Sequence, residues 1–163
     1  MNPTPEPVEE TIARFRTNLQ TVVLATISAE GEPEASVAAA VLGEGGSLVI
    51  YVSGLAAHTR NLRANPRASA LLAEDESAAT QPLARRRLTL GCAATPIARE
   101  ASEFSPLVVQ FRARFGGTID LLASMPDFQL VRLTPHRARL VVGFGQAFEL
   151  DPRDWSVKSR VTN

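Results

Sequence analysis

The feature that most constrains the fold is a series of short β-branched segments separated by turn-forming residues. Thr21 to Ser28 is apolar and β-branched, and Glu34 to Leu42 follows it after the turn-forming stretch 29–33 (AEGEP). A second turn at 43–46 (GEGG) precedes Leu48 to Val52, an apolar run typical of a buried strand. Because tight turns join neighbouring antiparallel strands, this region predicts a three-stranded meander.

The rest of the chain extends this pattern towards a barrel. Further strands are predicted at Ala68 to Ala73, Arg87 to Ala94, Asp127 to Leu133 and Arg137 to Val142, with a turn at 134–136 (TPH) and a last extended piece at Gln146 to Leu150. Six or seven strands in hairpins indicate a mainly β protein built as a closed or partly open antiparallel barrel. The small residues of Glu34 to Leu42 leave room for a ligand or a second subunit.

Helical periodicity predicts three flanking helices. One contains Val8 to Leu19, one covers Leu55 to Leu62 and stops near Asn65-Pro66, and one covers Ser102 to Phe115 before two glycines. We expect a single domain over residues 1–150, with a flexible N-terminus at 1–10 and a polar, mobile tail at 151–163.

Charge and cysteine content limit the function classes. The chain has 17 basic and 17 acidic residues, and this neutral balance argues against nucleic-acid or anionic-membrane partners. No apolar run approaches the roughly 18 residues of a membrane span, and the acidic, proline-rich start does not resemble a signal peptide. A lone cysteine, Cys92, and two distant histidines predict no metal site, and a reducing cytoplasm is the expected compartment.

The segment from Ser53 to Leu62 lies between a predicted strand and a predicted helix. Backbone N–H groups at the helix start, hydroxyls on Ser53 and Thr59, and a cation at His58 or Arg60 would suit a phosphate monoester. A helix start capped by serine, with no ligand, is the alternative. Of the 17 basic residues only Lys158 is a lysine; the 16 arginines reflect either anion binding or a GC-rich coding bias.

Five stretches carry a resemblance to a known family. They are LATIS with GEPEAS (24–36), VIYVSGLAAHTRNLRANPRASALL (49–72), RLTLGCAATPI (87–97), MPDF (125–128) and GFGQAF (143–148). In this order and spacing they resemble the pyridoxamine 5′-phosphate oxidase-like FMN-binding split-barrel superfamily, and within it the haem-utilisation (HugZ-type) branch. The resemblance covers roughly residues 11–150.

The resemblance implies a six-stranded split barrel that works as a homodimer with FMN in each of two clefts between the subunits. It implies an FMN-dependent oxidoreductase that acts on a small-molecule substrate or electron donor. The implied phosphate contacts are Ser36, Ser53, His58, Thr59 and Arg60, and Arg87 is implied to lie near the isoalloxazine edge.

Two departures from the family pattern leave alternatives open. Pyridoxamine phosphate oxidases carry Arg where Ser36 stands and an Arg-Lys pair where Ala57-His58 stand, and the haem-degrading relatives use an axial histidine beyond the position of His136, the last histidine here. The alternatives are a haem-binding protein of haem utilisation, whose cleft arginines or histidines meet the propionates, and a non-catalytic flavin-binding dimer.

Overall fold

The computed structural model describes residues 7–162, which form eight strands and four helices. The helices are α1 (Val8–Thr17), α2 (Ala57–Ala64), α3 (Phe104–Phe115) and α4 (Thr118–Ser124). The strands are β1 (Thr21–Ile27), β2 (Pro33–Leu42), β3 (Leu48–Ser53), β4 (Arg67–Ala73), β5 (Arg87–Ile97), β6 (Phe128–Gly143), β7 (Gln146–Leu150) and β8 (Val157–Arg160). Two single 3-10 turns, Glu76–Ala78 and Pro82–Ala84, interrupt the connection from β4 to β5. In the described part of the chain no helix is long and apolar enough to cross a membrane.

The first six strands close into a barrel. Their order is β3-β2-β1-β4-β5-β6, and antiparallel pairing of β3 with β6 joins the two edges. β7 and β8 extend the sheet beyond β6. The predicted six-stranded antiparallel barrel with flanking helices is therefore confirmed.

Side chains alternate along the strands between the packed interior of the barrel and its outer surface, and one part of that outer surface is uncovered. In β1, Val22 and Leu24 are buried, whereas Val23 between them is 41% exposed. The α3–α4 pair covers another part of the outer surface, where Phe111 packs on Tyr51 of β3 with ring centroids 5.4 Å apart. The outer face of β1 and of the N-terminal half of β2 (33–37) lacks such a cover among the described residues, whereas Val41 near the end of β2 packs in the α3 cluster.

The predicted turn at 134–136 is wrong, because β6 is one continuous strand. Cys92 of β5 pairs with Pro135, Gly91 pairs with Arg137, and the register shift between these pairs leaves His136 as the extra residue of a bulge. Proline has no N–H to donate, and a bulge is a position where a sheet tolerates it. Helix α4 was not predicted from the sequence.

The expectation of a mobile tail is also wrong. Trp155 is fully buried in the main core, and its Nε1 donates to the Gly46 carbonyl at 3.0 Å. Gly46 has φ +67°, and a Cβ there would lie 2.3 Å from the Pro152 carbonyl oxygen, so the tail docks where only glycine fits. At the other terminus, residues 1–6 of the predicted flexible segment lie outside the described residues, and α1 begins at Val8.

Candidate functional site

The connection between β3 and α2 is held by Asp127, which lies just before β6. Ser53 Oγ donates to Asp127 Oδ2 at 2.6 Å and accepts from the Leu55 N–H at 3.1 Å. The Gly54 N–H donates to the Asp127 carbonyl at 2.7 Å, and a Cβ on Gly54 would lie 3.1 Å from that oxygen. Thr59 Oγ1 donates to the Ser53 carbonyl at 2.6 Å. Both predicted hydroxyls of this loop are therefore used to shape it.

His58, in the first turn of α2, contacts strand β2. Its Nδ1 lies 3.0 Å from Ser36 Oγ, and the side chain is half-buried. Burial lowers the pKa of His58 below its ordinary value near 6.5, and the opposing effect of the Glu34 carboxylate is smaller. Burial therefore favours the neutral form of the His58 imidazole. Because Ser36 occupies Nδ1, the ring orientation is set and Nε2 is the nitrogen left to meet a ligand.

Asn61 anchors α2 to the barrel beneath His58. It is buried, and its Nδ2 donates to Thr26 Oγ1 of β1 at 3.0 Å and to Glu34 Oε2 of β2. The sequence analysis did not select Asn61. The sequence could have indicated it, because Asn61 is an amide three residues after His58, on the helix face that also carries the buried Leu62.

The two predicted arginines lie in different parts of the barrel. Arg60 is exposed on α2, and its NH1 donates to the Leu55 carbonyl at 2.6 Å. Arg87 begins β5, where it pairs with Ala73, whereas α2 lies near Ala94 further along that strand. Seven residues of strand separate Arg87 from Ala94, which is roughly 20 Å. Within a single chain, five of the six predicted site residues lie close together, and Arg87 does not. The five are Ser36, Ser53, His58, Thr59 and Arg60.

These residues fit a flavin phosphate poorly. A phosphate monoester carries close to two negative charges and is bound through free donors and cations. Here the hydroxyls of Ser53 and Thr59 and one arm of Arg60 already donate to acceptors in the chain. The carboxylates of Asp127 and Glu34 add negative charge to the same region. The loop therefore leaves few free donors for the phosphate of FMN.

The second histidine occupies a different surface. His136 is exposed at the β6 bulge and lies over Gly91, where an added Cβ would come within 3.2 Å of its Nε2. Within residues 7–162, no three His, Cys, Asp or Glu side chains group in a way that could hold a metal ion by themselves. Any bound iron would need most of its ligands from elsewhere, as a porphyrin provides.

A closed six-stranded antiparallel barrel, flanked by four helices and carrying a polar loop before α2, defines a protein of the split-barrel fold. Over residues 8–142 the chain matches the family described as pyridoxamine 5′-phosphate oxidase. The protein belongs to that family, as the resemblance predicted.

Its similar relatives include proteins named for haem. The chain is 39% identical over 147 residues to the haem oxygenase HutZ of Vibrio cholerae, and this match covers 90% of the chain and 83% of the relative. The crystal structure of HutZ, described as the haem storage protein of V. cholerae, gives a TM-score of 0.78 at 37% identity, covering 85% of this chain and 96% of that one.

Two longer solved structures are also similar. Campylobacter jejuni ChuZ gives a TM-score of 0.82 at 32% identity, covering 93% of this chain and 62% of that chain. A haem-binding protein of Mycobacterium smegmatis gives a TM-score of 0.77 at 29% identity, and the match covers 93% of this chain and 61% of that chain. The present chain therefore spans about three fifths of the length of these two.

Proposed function

We propose that this protein binds haem at the β3–α2 site and acts in haem utilisation. The observation that carries the proposal is the 39% identity, over 90% of the chain, to a relative named haem oxygenase. The arrangement of the site supports it, because the site carries a half-buried imidazole, His58, whose Nδ1 is held by Ser36. This is the alternative of the sequence analysis rather than its main hypothesis.

His58 is the residue that we assign as the iron ligand. Haem iron is commonly bound by a neutral imidazole, and a ligating histidine usually has its other ring nitrogen held by a hydrogen bond. His58 meets both conditions through its lowered pKa and the 3.0 Å contact of Nδ1 with Ser36. Arg63 is exposed on the same helix, where its guanidinium group suits a propionate carboxylate.

Titration of the purified chain with haemin tests the assignment. We expect a Soret band that saturates at one haem per chain and that shifts and weakens in His58→Ala. His136→Ala is the matched control, because it removes the other histidine from an exposed position, and its spectrum should equal that of the wild type. Absence of a saturable band contradicts haem binding, whereas a band lost only in His136→Ala contradicts the ligand assignment.

The same preparation separates storage from degradation. Loss of the Soret band with ascorbate and oxygen, at a rate above that of haem with serum albumin, would identify an oxygenase; a stable band would identify a carrier. The family description favours one second candidate, an FMN-dependent oxidoreductase. Quenching of flavin fluorescence at micromolar FMN, with no competition by haemin, would support it over haem binding.

We also propose that the protein is a homodimer joined through the open outer face of β1 and β2. That face presents Val23 and Val37, which are 41% and 63% exposed and lie directly opposite each other, with Ala25 and Ala35 as the next pair. Light scattering should give the dimer mass, and Val37→Arg should give the monomer mass. Val109→Arg, on the exposed surface of α3, is the control and should stay dimeric. A monomeric wild type contradicts the proposal.

The cytoplasmic location remains a prediction.

A further inference from the structure

A small recess lies at the end of the barrel beside α2, where β5 ends and β6 begins. Its apolar walls are formed by Leu62, Ala94, Pro96 and Val131. Its volume of about 20 Å³ holds one water-sized group and excludes a ring. Only the end of a ligand can therefore enter it, while the body of the ligand stays outside.

Two polar side chains of the recess converge on one point. The NH2 of Arg63 and the Nε2 of the half-buried Gln129 both lie 3.6 Å from the position that a Cβ on Gly54 would occupy. Neither side chain has a hydrogen-bond or ion-pair partner within residues 7–162. Arg60, on the same helix, differs in this respect, because its guanidinium donates to the Leu55 carbonyl. The recess therefore has two donors that the chain leaves free.

Gly54 keeps the space between these donors open. Its N–H donates to the Asp127 carbonyl at 2.7 Å, and an added Cβ would lie 3.1 Å from that oxygen and fill the space. The Asp127 carboxylate accepts from the Ser53 hydroxyl at 2.6 Å. No carboxylate in the described part of the chain lies within ion-pair distance of Arg63. The guanidinium therefore borders the recess without a counter-ion from the chain.

These features select a carboxylate. A guanidinium group binds a carboxylate through charge-assisted hydrogen bonds, and the Gln129 amide adds a donor for the same group. A cation would face the positive charge of Arg63, and a neutral group would leave that charge without a counter-ion beside an apolar wall.

We infer that Arg63 and Gln129 bind the carboxylate end of a ligand in this recess, and that Gly54 keeps the room for it. His58 contacts β2 whereas Arg63 faces the start of β6, so the recess is separate from the assigned iron ligand. The carboxylate has two sources. One is a propionate of haem bound at His58, which rests on the proposed function, and the other is a separate short carboxylic acid.

Haemin and its dimethyl ester, in which both propionates are neutral, test the first source. We expect Arg63→Gln to weaken haemin binding by about tenfold and to leave the affinity for the ester unchanged. Gln129→Met should weaken haemin binding by about threefold. The Soret band should keep its wild-type position in both variants, because His58 is intact. Arg114→Gln, which removes an exposed guanidinium from α3, is the matched control and should bind both compounds like the wild type.

NMR of the chain without haem tests the second source. The Nε–H resonance of Arg63, assigned by its loss in Arg63→Gln, should shift saturably with propionate and stay unchanged with propionamide, the neutral analogue. Gly54→Ala fills the space between the donors and should abolish the shift.

The two titrations together decide on the recess. Tighter binding of haemin than of its ester, lost in Arg63→Gln, assigns the haem propionate, whereas a propionate shift without this discrimination assigns a separate acid. The proposal is overturned if neither effect occurs, or if Arg114→Gln loses as much haemin affinity as Arg63→Gln. Absence of any Soret band contradicts the proposed function alone, and the NMR titration then decides on the recess.

Discussion

Truncation of Trp155 tests whether residues 151–160 belong to the cooperative core. Burying a tryptophan removes about 200 Å² from water, which at about 25 cal/mol per Å² corresponds to about 5 kcal/mol as an upper estimate. The indole also donates to Gly46 and lies 4.8 Å below the Arg16 guanidinium. We expect Trp155→Ala to lower the free energy of unfolding by about 3–5 kcal/mol and the melting temperature by roughly 10–15 °C.

Urea unfolding followed by far-UV circular dichroism measures this change, because Trp155 is the only tryptophan and its fluorescence is lost in the variant. Trp155→Phe keeps most of the apolar area and removes the donor, so it should cost about 1–2 kcal/mol. Val157→Ala, at a partly exposed position of β8, should stay within about 0.5 kcal/mol of the wild type. A loss below about 1 kcal/mol in Trp155→Ala would refute the view that the tail is part of the core.

Three further predictions follow from buried polar groups. Asn61→Ala should lower the unfolding free energy by about 1–3 kcal/mol in urea titrations, because the buried Thr26 hydroxyl loses its partner; equal stability would contradict this. Burial lowers the pKa of His58, so the unfolded chain binds a proton at this residue more tightly than the folded chain does. The free energy of unfolding should therefore keep its full value above pH 6.5 and decrease as the pH falls below it. This pH dependence, measured by urea unfolding at several pH values, should be weaker in His58→Gln. Burial raises the pKa of the Cys92 thiol to about 12, so a thiol reagent at about pH 8 should react only after unfolding, and reaction of the folded protein would contradict the assigned burial.

The fold was predictable because most of its strand pairs are local. β1 and β2 are separated by a short turn and pair directly, so turn chemistry and alternation were enough to identify them. Pro135 misled the prediction for β6, because a proline in a β-branched run is read as a turn. The register shift opposite Cys92 depends on how two long strands are paired, and no local pattern in the sequence indicates it.

The candidate site was predictable only in part. The segment around His58 stood out because hydroxyls and cations follow a buried strand. Its main contacts, however, join residues far apart in sequence, such as Ser53 with Asp127 and Asn61 with Thr26. The hydrogen bonds of Ser53 and Thr59 count against the phosphate hypothesis, because each uses a donor that a phosphate would need.

The sequence by itself determined an antiparallel barrel, its flanking helices and the position of a polar loop before α2. These features depend on periodicity, turns and composition within short stretches of chain. Only the tertiary structure decided that Trp155 completes the core, that Asp127 holds the loop, and that Arg87 lies about 20 Å along β5 from the α2 region. The physical reason is that burial and hydrogen bonding between distant segments depend on packing, which local propensity does not specify.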